Sequence, residues 1–138
     1  MNASHYRPEG FHAVTPYLIV PGAVELLDFM KAAFDAEVVE QMADTDGGIR
    51  HAQIRIGDSM LEVSSARPEW PASPASLHVY VPDVDTVYAR ALKAGAESLY
   101  EPDDKFYGDR EAGVKDGSGN CWFLATRQEA LSEGEKAG

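Results

Sequence analysis

The sequence predicts an α+β fold in which two βαβββ modules form paired four-stranded sheets around a cleft. The first observation behind this prediction is an internal repeat, because residues 15–37 and 76–97 both read as strand, turn and amphipathic helix. A shift of 61 positions places Pro21 on Pro82 and aligns the apolar faces of the two helices. The second observation is that extended segments separated by turn residues follow each helix. Two copies indicate a pair of duplicated modules, since a solenoid needs more repeats.

The first module is predicted over residues 15–64. Apolar residues recur at helical spacing over residues 23–34, and apolar and polar residues alternate strictly over residues 51–56, as in a strand with one buried face. Residues 44–48 and 57–58 have the composition of turns. The predicted elements are strands at 15–20, 37–43, 51–56 and 59–64 and a helix at 23–34.

The second module is predicted over residues 76–127 and repeats this order. Asp83 is placed to cap a helix N-terminus, and Gly95 is the type of residue that ends a helix. Residues 102–107 are predicted to form a polar loop, and residues 116–120 a glycine-rich turn. The predicted elements are strands at 76–81, 98–101, 110–115 and 121–126 and a helix at 84–92.

Three further segments connect or flank the modules. Residues 65–75 are rich in proline and are predicted to be the linker between the modules. Trp70 in this linker is expected either to pack over a neighbouring core or to cover a ligand. Residues 1–14 are expected to form a loosely ordered polar arm, and residues 128–138 an acidic tail that extends as a partial helix. All segments are predicted to belong to a single domain.

Composition and charge exclude several classes of function. The chain has 12 basic and 23 acidic side chains and a net charge of −11, which argues against nucleic acids and anionic membranes as partners. No apolar run approaches the roughly 20 residues that span a bilayer, and the N-terminus does not resemble a signal peptide. The single Cys121 cannot form an internal disulfide, so a cytoplasmic location is expected. The small size and the predicted exposed sheet edges favour a homodimer.

Three stretches carry a resemblance to a known family. They are residues 18–30 (LIVPGAVELLDFM), 78–96 (HVYVPDVDTVYARALKAGA) and 108–126 (GDREAGVKDGSGNCWFLAT). Over residues 15–126 the sequence resembles the vicinal oxygen chelate superfamily, which includes glyoxalase, bleomycin-resistance proteins and extradiol dioxygenases. The resemblance implies the paired βαβββ arrangement, with a small-molecule site in the cleft.

The resemblance also implies four metal-ligand positions, on the first and last strands of each module. In this sequence they fall on Thr15, Glu62, Ser76 and Phe123. Only Glu62 is a residue type that commonly binds a transition metal, so we expect no metal site of the family's kind and no cofactor. An alternative register places His78 at the first-strand position of the second module. That register gives two candidate ligands, Glu62 and His78.

Alternation along the strands separates the two faces of each predicted sheet. The residues expected to pack under the helices are Leu18, Val20, Ala52, Ile54, Leu77, Val79, Val81 and Leu124. The residues expected to line the cleft and bind a ligand are Thr15, Tyr17, His51, Gln53, Arg55, Met60, Glu62, Ser76, His78, Tyr80 and Phe123. Glu62 is expected to pair with Arg55 on the adjacent strand or with a cationic group of the ligand.

The predicted cleft combines aromatic and polar side chains, which suits a flat aromatic or a cationic small organic molecule. The sequence therefore favours a glyoxalase- or bleomycin-resistance-like binding protein that works without a metal. Two alternatives stand beside it, a metal-dependent lyase or dioxygenase and a metal-free enzyme that uses Glu62 and His78 as acid and base. The sequence leaves open whether the chain is an enzyme.

Overall fold

The computed structural model describes residues 5–128, and this range contains eight strands and two helices. The first repeat consists of β1 (Tyr17–Val20), α1 (Ala23–Phe34), β2 (Glu37–Ala43), β3 (Ile49–Ile56) and β4 (Ser59–Ser65). The second repeat consists of β5 (Ser76–Tyr80), α2 (Val84–Lys93), β6 (Glu97–Asp104), β7 (Asp109–Lys115) and β8 (Cys121–Arg127). The start of the predicted N-terminal arm and almost all of the predicted C-terminal tail lie outside the described residues.

Each repeat forms its own four-stranded mixed sheet. The strand order is β1-β4-β3-β2 in the first sheet and β5-β8-β7-β6 in the second. The first and last strands of each repeat run parallel, and the other neighbours run antiparallel. This topology confirms the predicted α+β fold of two βαβββ modules. The chain divides into two compact units between Pro74 and Ala75.

The core of the first unit lies between α1 and its sheet. Helix α1 packs against β3 and β4 and buries Leu26, Leu27 and Met30. Ala52 and Ile54 of β3 are fully buried, as the alternation of β3 predicts. Each large apolar side chain that is buried in this way stabilises the fold by about 1.5–3 kcal/mol.

The core of the second unit is built in the same way under α2. Asp83 caps this helix as predicted, because its carboxylate accepts a hydrogen bond from the backbone amide of Thr86 at 3.3 Å. Helix α2 packs against β6, β7 and β8. Trp122 and Leu124 of β8 are completely buried. Of the eight residues expected under the helices, five are buried, whereas Leu77, Val79 and Val81 are only half-buried.

Helix α1 has 12 residues and α2 has 10, whereas a membrane-spanning helix needs roughly 20. Among residues 5–128, neither helix has the length and apolar character required to cross a bilayer.

Strand β6 is longer than predicted. The sequence indicated a strand at 98–101 and then a polar loop at 102–107, but β6 continues to Asp104. Proline cannot donate a hydrogen bond to a sheet, so Pro102 is unfavourable in a central strand. The structure tolerates it because β6 is an edge strand, and its register with β7 shifts between Tyr100 and Asp103. The connecting loop is therefore short, and Lys105 N donates a hydrogen bond to Asp109 O at 2.7 Å across it.

The segment between the modules contacts the first sheet instead of running free. Arg67 and Trp70 form a tight turn, in which each backbone amide donates a hydrogen bond to the carbonyl of the other residue, at 3.0 and 2.9 Å. Beyond the turn, Ser73 N donates to Ile19 O at 3.0 Å, so the segment pairs with the edge of β1. This folding back places the side chains of the turn beside β1.

Candidate functional site

The face of the first sheet opposite α1 carries an aromatic and charged group. Tyr17 of β1 pairs with Glu62 of β4, and His51 of β3 projects from the same face. His51 Nε2 lies 2.7 Å from Glu62 Oε1, and the rings of His51 and Tyr17 are 6.0 Å apart. The expected pairing of Glu62 with Arg55 is therefore wrong. Arg55 instead donates to Glu37 Oε2 at 2.9 Å, because Glu37 lies directly opposite it on β2.

A pocket of about 400 Å³ opens beside this group. It is lined by Tyr17, Ile19, Ser64, Arg67 and Trp70. Trp70 is 62% exposed, so its indole is available to a molecule that enters from solvent. Arg67 Nε is buried and makes no hydrogen bond within residues 5–128; the nearest acidic atom given by the structure is Glu69 Oε1 at 3.7 Å. Two aromatic rings and one guanidinium therefore border a single pocket.

Sequence reasoning did not include Arg67 among the site residues. It lies in residues 65–75, which the proline content marked as a linker, and nothing in that composition reveals that the turn folds back on β1. Trp70 was a signal that could have indicated this part of the site, because a tryptophan in a polar segment usually packs against an apolar partner or a ligand.

The face of the second sheet opposite α2 carries a different group. His78 of β5 lies 3.7 Å, by its Nε2, from Oε1 of Glu111 on β7. The hydroxyl of Tyr107 donates to the same Glu111 oxygen at 2.6 Å, and the hydroxyl of Tyr80 donates to Asp109 Oδ2 at 2.9 Å. Asp109 is only 3% exposed and Glu111 only 9%. This group therefore holds two buried carboxylates, which sequence reasoning had not placed at the site.

Hydrogen bonding to these carboxylates changes the ionisation of the surrounding phenols. The Glu111 carboxylate raises the pKa of Tyr107 to about 12, because it accepts a hydrogen bond from the neutral phenol and repels the phenolate. The hydrogen bond to Asp109 likewise raises the pKa of Tyr80. Burial, followed by the charge of Glu111, raises the pKa of Tyr100. All three phenols are therefore neutral donors at physiological pH.

Strand register explains why these side chains converge. His78 pairs with Phe123, and Gly113 of β7 lies on the other side of Phe123. Tyr100 of β6 pairs with Gly113 and stacks on Phe123, with ring centroids 6.4 Å apart. Since Glu111 lies two residues before Gly113 on β7, its carboxylate projects from the same face.

The predicted ligand-binding residues are distributed over these two faces. Tyr17, His51 and Glu62 come together in the first module, and His78, Tyr80 and Phe123 lie together in the second. Thr15 lies two residues before β1 begins, and Ser76 pairs with Cys121 instead of Phe123. The other predicted members are the half-buried Gln53 and Arg55 and the buried Met60.

Comparison with known proteins gives one family and several relatives. The model of the Glyoxalase/Bleomycin resistance protein/Dioxygenase superfamily matches residues 10–124. The uncharacterized protein Mb0911c of Mycobacterium bovis is 33% identical over 123 residues, which cover 81% of either chain. The uncharacterized protein Rv0887c of Mycobacterium tuberculosis is also 33% identical over 123 residues, covering 81% of this chain and 72% of that protein.

Solved structures share the fold at lower identity. TioX from Micromonospora sp. ML1 superposes with a TM-score of 0.71 at 23% identity, covering 84% of this chain and 98% of TioX. TnmS3, an antibiotic binding protein from Streptomyces sp. CB03234, superposes with a TM-score of 0.67 at 21% identity, covering 88% of this chain and all of TnmS3. At such identities the likeness concerns the fold.

The residues at the metal-ligand positions implied by the resemblance do not fit a transition metal. Strand register places Tyr17 beside Glu62 instead of the predicted Thr15, and His78 beside Phe123 instead of the predicted Ser76. The phenyl ring of Phe123 offers no lone pair, and Glu62 Oε1 is already engaged by His51 at 2.7 Å. These side chains therefore do not form a metal site of the family's kind.

Proposed function

We propose that this chain, which belongs to the Glyoxalase/Bleomycin resistance protein/Dioxygenase superfamily, binds a small organic molecule with a planar aromatic ring. The observation that carries the proposal is the pocket beside β1, where Tyr17 and Trp70 border a space of about 400 Å³. That volume lies within the range of about 300–1,000 Å³ that is usual for small-molecule sites. The pocket contains none of the predicted metal-ligand residues Thr15, Glu62, Ser76 and Phe123.

The lining of this pocket selects for ring systems. An aromatic ligand that packs against either ring gains about 0.5–1.5 kcal/mol beyond the burial of its surface. Trp70 is positioned for such a contact by the turn that closes between its backbone and that of Arg67. The two hydrogen bonds of the turn hold the backbone of Trp70 in place without a ligand, and its indole is exposed to solvent. Binding therefore needs little rearrangement of this side of the pocket.

Charge adds a second preference. The net charge of −11 attracts cationic molecules from a distance, whereas inside the pocket the guanidinium of Arg67 favours a hydrogen-bond acceptor on the ring system. TnmS3, which shares the fold, is an antibiotic binding protein, and this supports a small organic molecule as the class of ligand.

Tryptophan fluorescence tests this proposal directly. Trp70 is 62% exposed and Trp122 is completely buried, so a ligand in the pocket quenches or shifts the emission of one indole and leaves the other as an internal reference. We expect at least one compound from a panel of neutral and cationic planar aromatics to give a saturable change. Calorimetry then measures the affinity of that compound independently of Trp70.

Matched variants separate the pocket from other surfaces. Trp70→Ala and Tyr17→Ala are each expected to weaken binding about tenfold, which corresponds to the loss of one aromatic contact. Leu99→Ala removes an exposed apolar side chain of β6 and is expected to leave the affinity unchanged. A panel without any saturable hit, or a hit that is insensitive to both pocket variants, would overturn the proposal.

A further inference from the structure

We infer that the second module contains a divalent-cation site formed by His78, Asp109 and Glu111. The inference does not rest on the proposed function, because none of these residues lines the pocket beside β1. It shares only His78 with the ligand positions implied by the resemblance, since Asp109 and Glu111 both lie on β7. One imidazole and two carboxylates form a mixed nitrogen and oxygen donor set, which suits ions such as Zn²⁺, Mn²⁺ or Co²⁺.

The geometry brings three ligand atoms together. One atom each from His78, Asp109 and Glu111 lies within 4.8 Å of the other two. Zinc binds nitrogen and oxygen ligands at about 2.0–2.2 Å, so bound ligand atoms are roughly 3–3.5 Å apart. Small side-chain rotations therefore suffice to close the three groups around an ion. His78 is partly exposed, which leaves the site an approach from solvent.

Burial makes a cation favourable at this place. Asp109 and Glu111 are both nine-tenths or more buried, and two carboxylates so close together repel each other strongly away from water. Asp109 Oδ1 is buried and accepts no hydrogen bond in the described part of the chain, although Arg127 Nη1 lies 3.2 Å away. Arg127 is half-exposed at the end of β8, and its Nη1 also donates to Tyr107 O at 2.6 Å. When an ion takes over its charge at Asp109, the guanidinium can remain on this carbonyl or turn to solvent.

The tyrosines around the carboxylates supply the outer shell that metal sites require. Tyr107 donates to Glu111 at 2.6 Å and Tyr80 donates to Asp109 at 2.9 Å. Hydrogen bonds of this kind orient metal-binding carboxylates, and their loss typically lowers metal affinity by about 10–100-fold. The two tyrosines thus fix the carboxylates without adding charge.

Metal titration of the untagged 138-residue chain tests the inference. After treatment with a chelator and removal of the chelator, we expect one Zn²⁺, Mn²⁺ or Co²⁺ per chain by calorimetry, together with a Co²⁺ absorption spectrum typical of nitrogen and oxygen ligands. Glu111→Gln and His78→Gln are expected to weaken binding by about 100-fold or more, beyond the effect of outer-shell residues. Tyr107→Phe is expected to weaken it by about tenfold.

The first module provides the matched control. Glu62→Gln and His51→Gln remove the corresponding histidine–carboxylate pair and are expected to leave metal affinity unchanged. Absence of binding in wild type, or equal losses from Glu62→Gln and Glu111→Gln, would overturn the inference. Circular dichroism establishes that each variant is folded before it is titrated.

Arg127→Gln gives a test that does not remove a ligand. If Arg127 only neutralises Asp109 and no cation binds there, Arg127→Gln lowers the stability of the chain and produces no metal binding. If it competes with a cation for Asp109, its loss tightens metal binding by about tenfold, because one nearby positive charge is gone. Unchanged or weaker metal binding in this variant would count against the site.

Discussion

The corresponding strands β3 and β7 carry similar residues toward the helix and different residues on the opposite face. Residues 49–55 of β3 read IRHAQIR, and residues 109–115 of β7 read DREAGVK. Ala52 and Ala112 are both completely buried toward the helices. On the opposite face, His51 and Gln53 of β3 correspond to Glu111 and Gly113 of β7. The packing requirements of the core were thus retained in both copies, while the opposite faces acquired different chemistry.

The histidine–carboxylate pairs show the same divergence. In the first module His51 lies on β3 and its partner Glu62 on β4, at 2.7 Å and with both side chains partly exposed. In the second module the histidine lies on β5 and the carboxylate on β7, at 3.7 Å, and Glu111 is buried. An exposed pair contributes at most about 1 kcal/mol, whereas a buried carboxylate must be compensated. This difference makes the second module the stronger candidate for a cation.

The largest effect is expected from the hairpins that follow these strands. Asp116 accepts hydrogen bonds from Asn120 Nδ2 at 3.0 Å and from Trp122 Nε1 at 2.8 Å, and all three residues are buried. Asp116→Ala leaves these donors unpaired, so we expect the free energy of unfolding to fall by about 3 kcal/mol. Urea denaturation followed by circular dichroism measures the change.

Asp58 occupies the corresponding hairpin of the first module and provides the control. It is exposed, and its carboxylate accepts one long hydrogen bond, from the Ser59 hydroxyl at 3.4 Å. Asp58→Ala is expected to change stability by no more than about 0.5 kcal/mol. Equal losses in the two variants would mean that the hairpins are equivalent and that the buried network adds nothing.

An intermediate effect is expected at Gly113, which corresponds to Gln53 of the first module. A Cβ atom at Gly113 would lie 2.6 Å from Cε1 of Tyr100, so the ring must shift away from Phe123. We expect Gly113→Ala to lower the free energy of unfolding by about 1–3 kcal/mol through this overpacking. Thermal and urea unfolding check the value.

The partner variant is Gln53→Ala, which removes atoms from a half-buried side chain instead of adding them. Its expected effect is within about 0.5 kcal/mol. If Gly113→Ala proves equally mild, the ring of Tyr100 is free to move and does not fix the face of the second sheet.

The smallest effect is expected at the arginine that occupies the corresponding position in β3 and β7, Arg50 and Arg110. Arg110 donates to both carboxylate oxygens of Asp85, at 2.8 and 3.1 Å, and these bonds hold the pKa of Asp85 below its ordinary value of 3.8. Arg110→Gln is expected to return that pKa toward 3.8, as measured by a carboxyl carbon NMR titration. Arg50→Gln, at the corresponding position of β3, is the control. Arg50 lies 4.0 Å from Asp44, so the Asp85 titration should not change.

The sign of the accompanying pH dependence follows from that pKa. Because Asp85 is more acidic in the folded chain than in the unfolded one, its pairing stabilises the fold fully above pH 3.8 and is lost as the pH falls through the lowered value. The stability difference between wild type and Arg110→Gln should therefore shrink in acid. A difference that grows below that pH would contradict the assignment.

The sequence predicted the elements well where local signals were strong. Helix α1 and strand β2 begin and end as expected, because helical spacing and flanking turn residues are unambiguous there. Pro102 misled the prediction of β6, since a proline is compatible with an edge strand but the strand order is a tertiary property. Glu62 was assigned the wrong partner for a related reason. Its neighbours His51 and Arg55 lie on the same face, and the position of Glu37 on β2 decides between them.

The sequence by itself therefore determined the repeat, the two βαβββ modules and the alternation of faces along a regular strand such as β3, because these depend on local periodicity. Tertiary structure decided which side chains meet. It returned the segment containing Arg67 and Trp70 to the edge of β1, and it gathered His78, Asp109 and Glu111 from separate strands. Such juxtapositions depend on strand register and chain reversal across many residues, which no local pattern encodes.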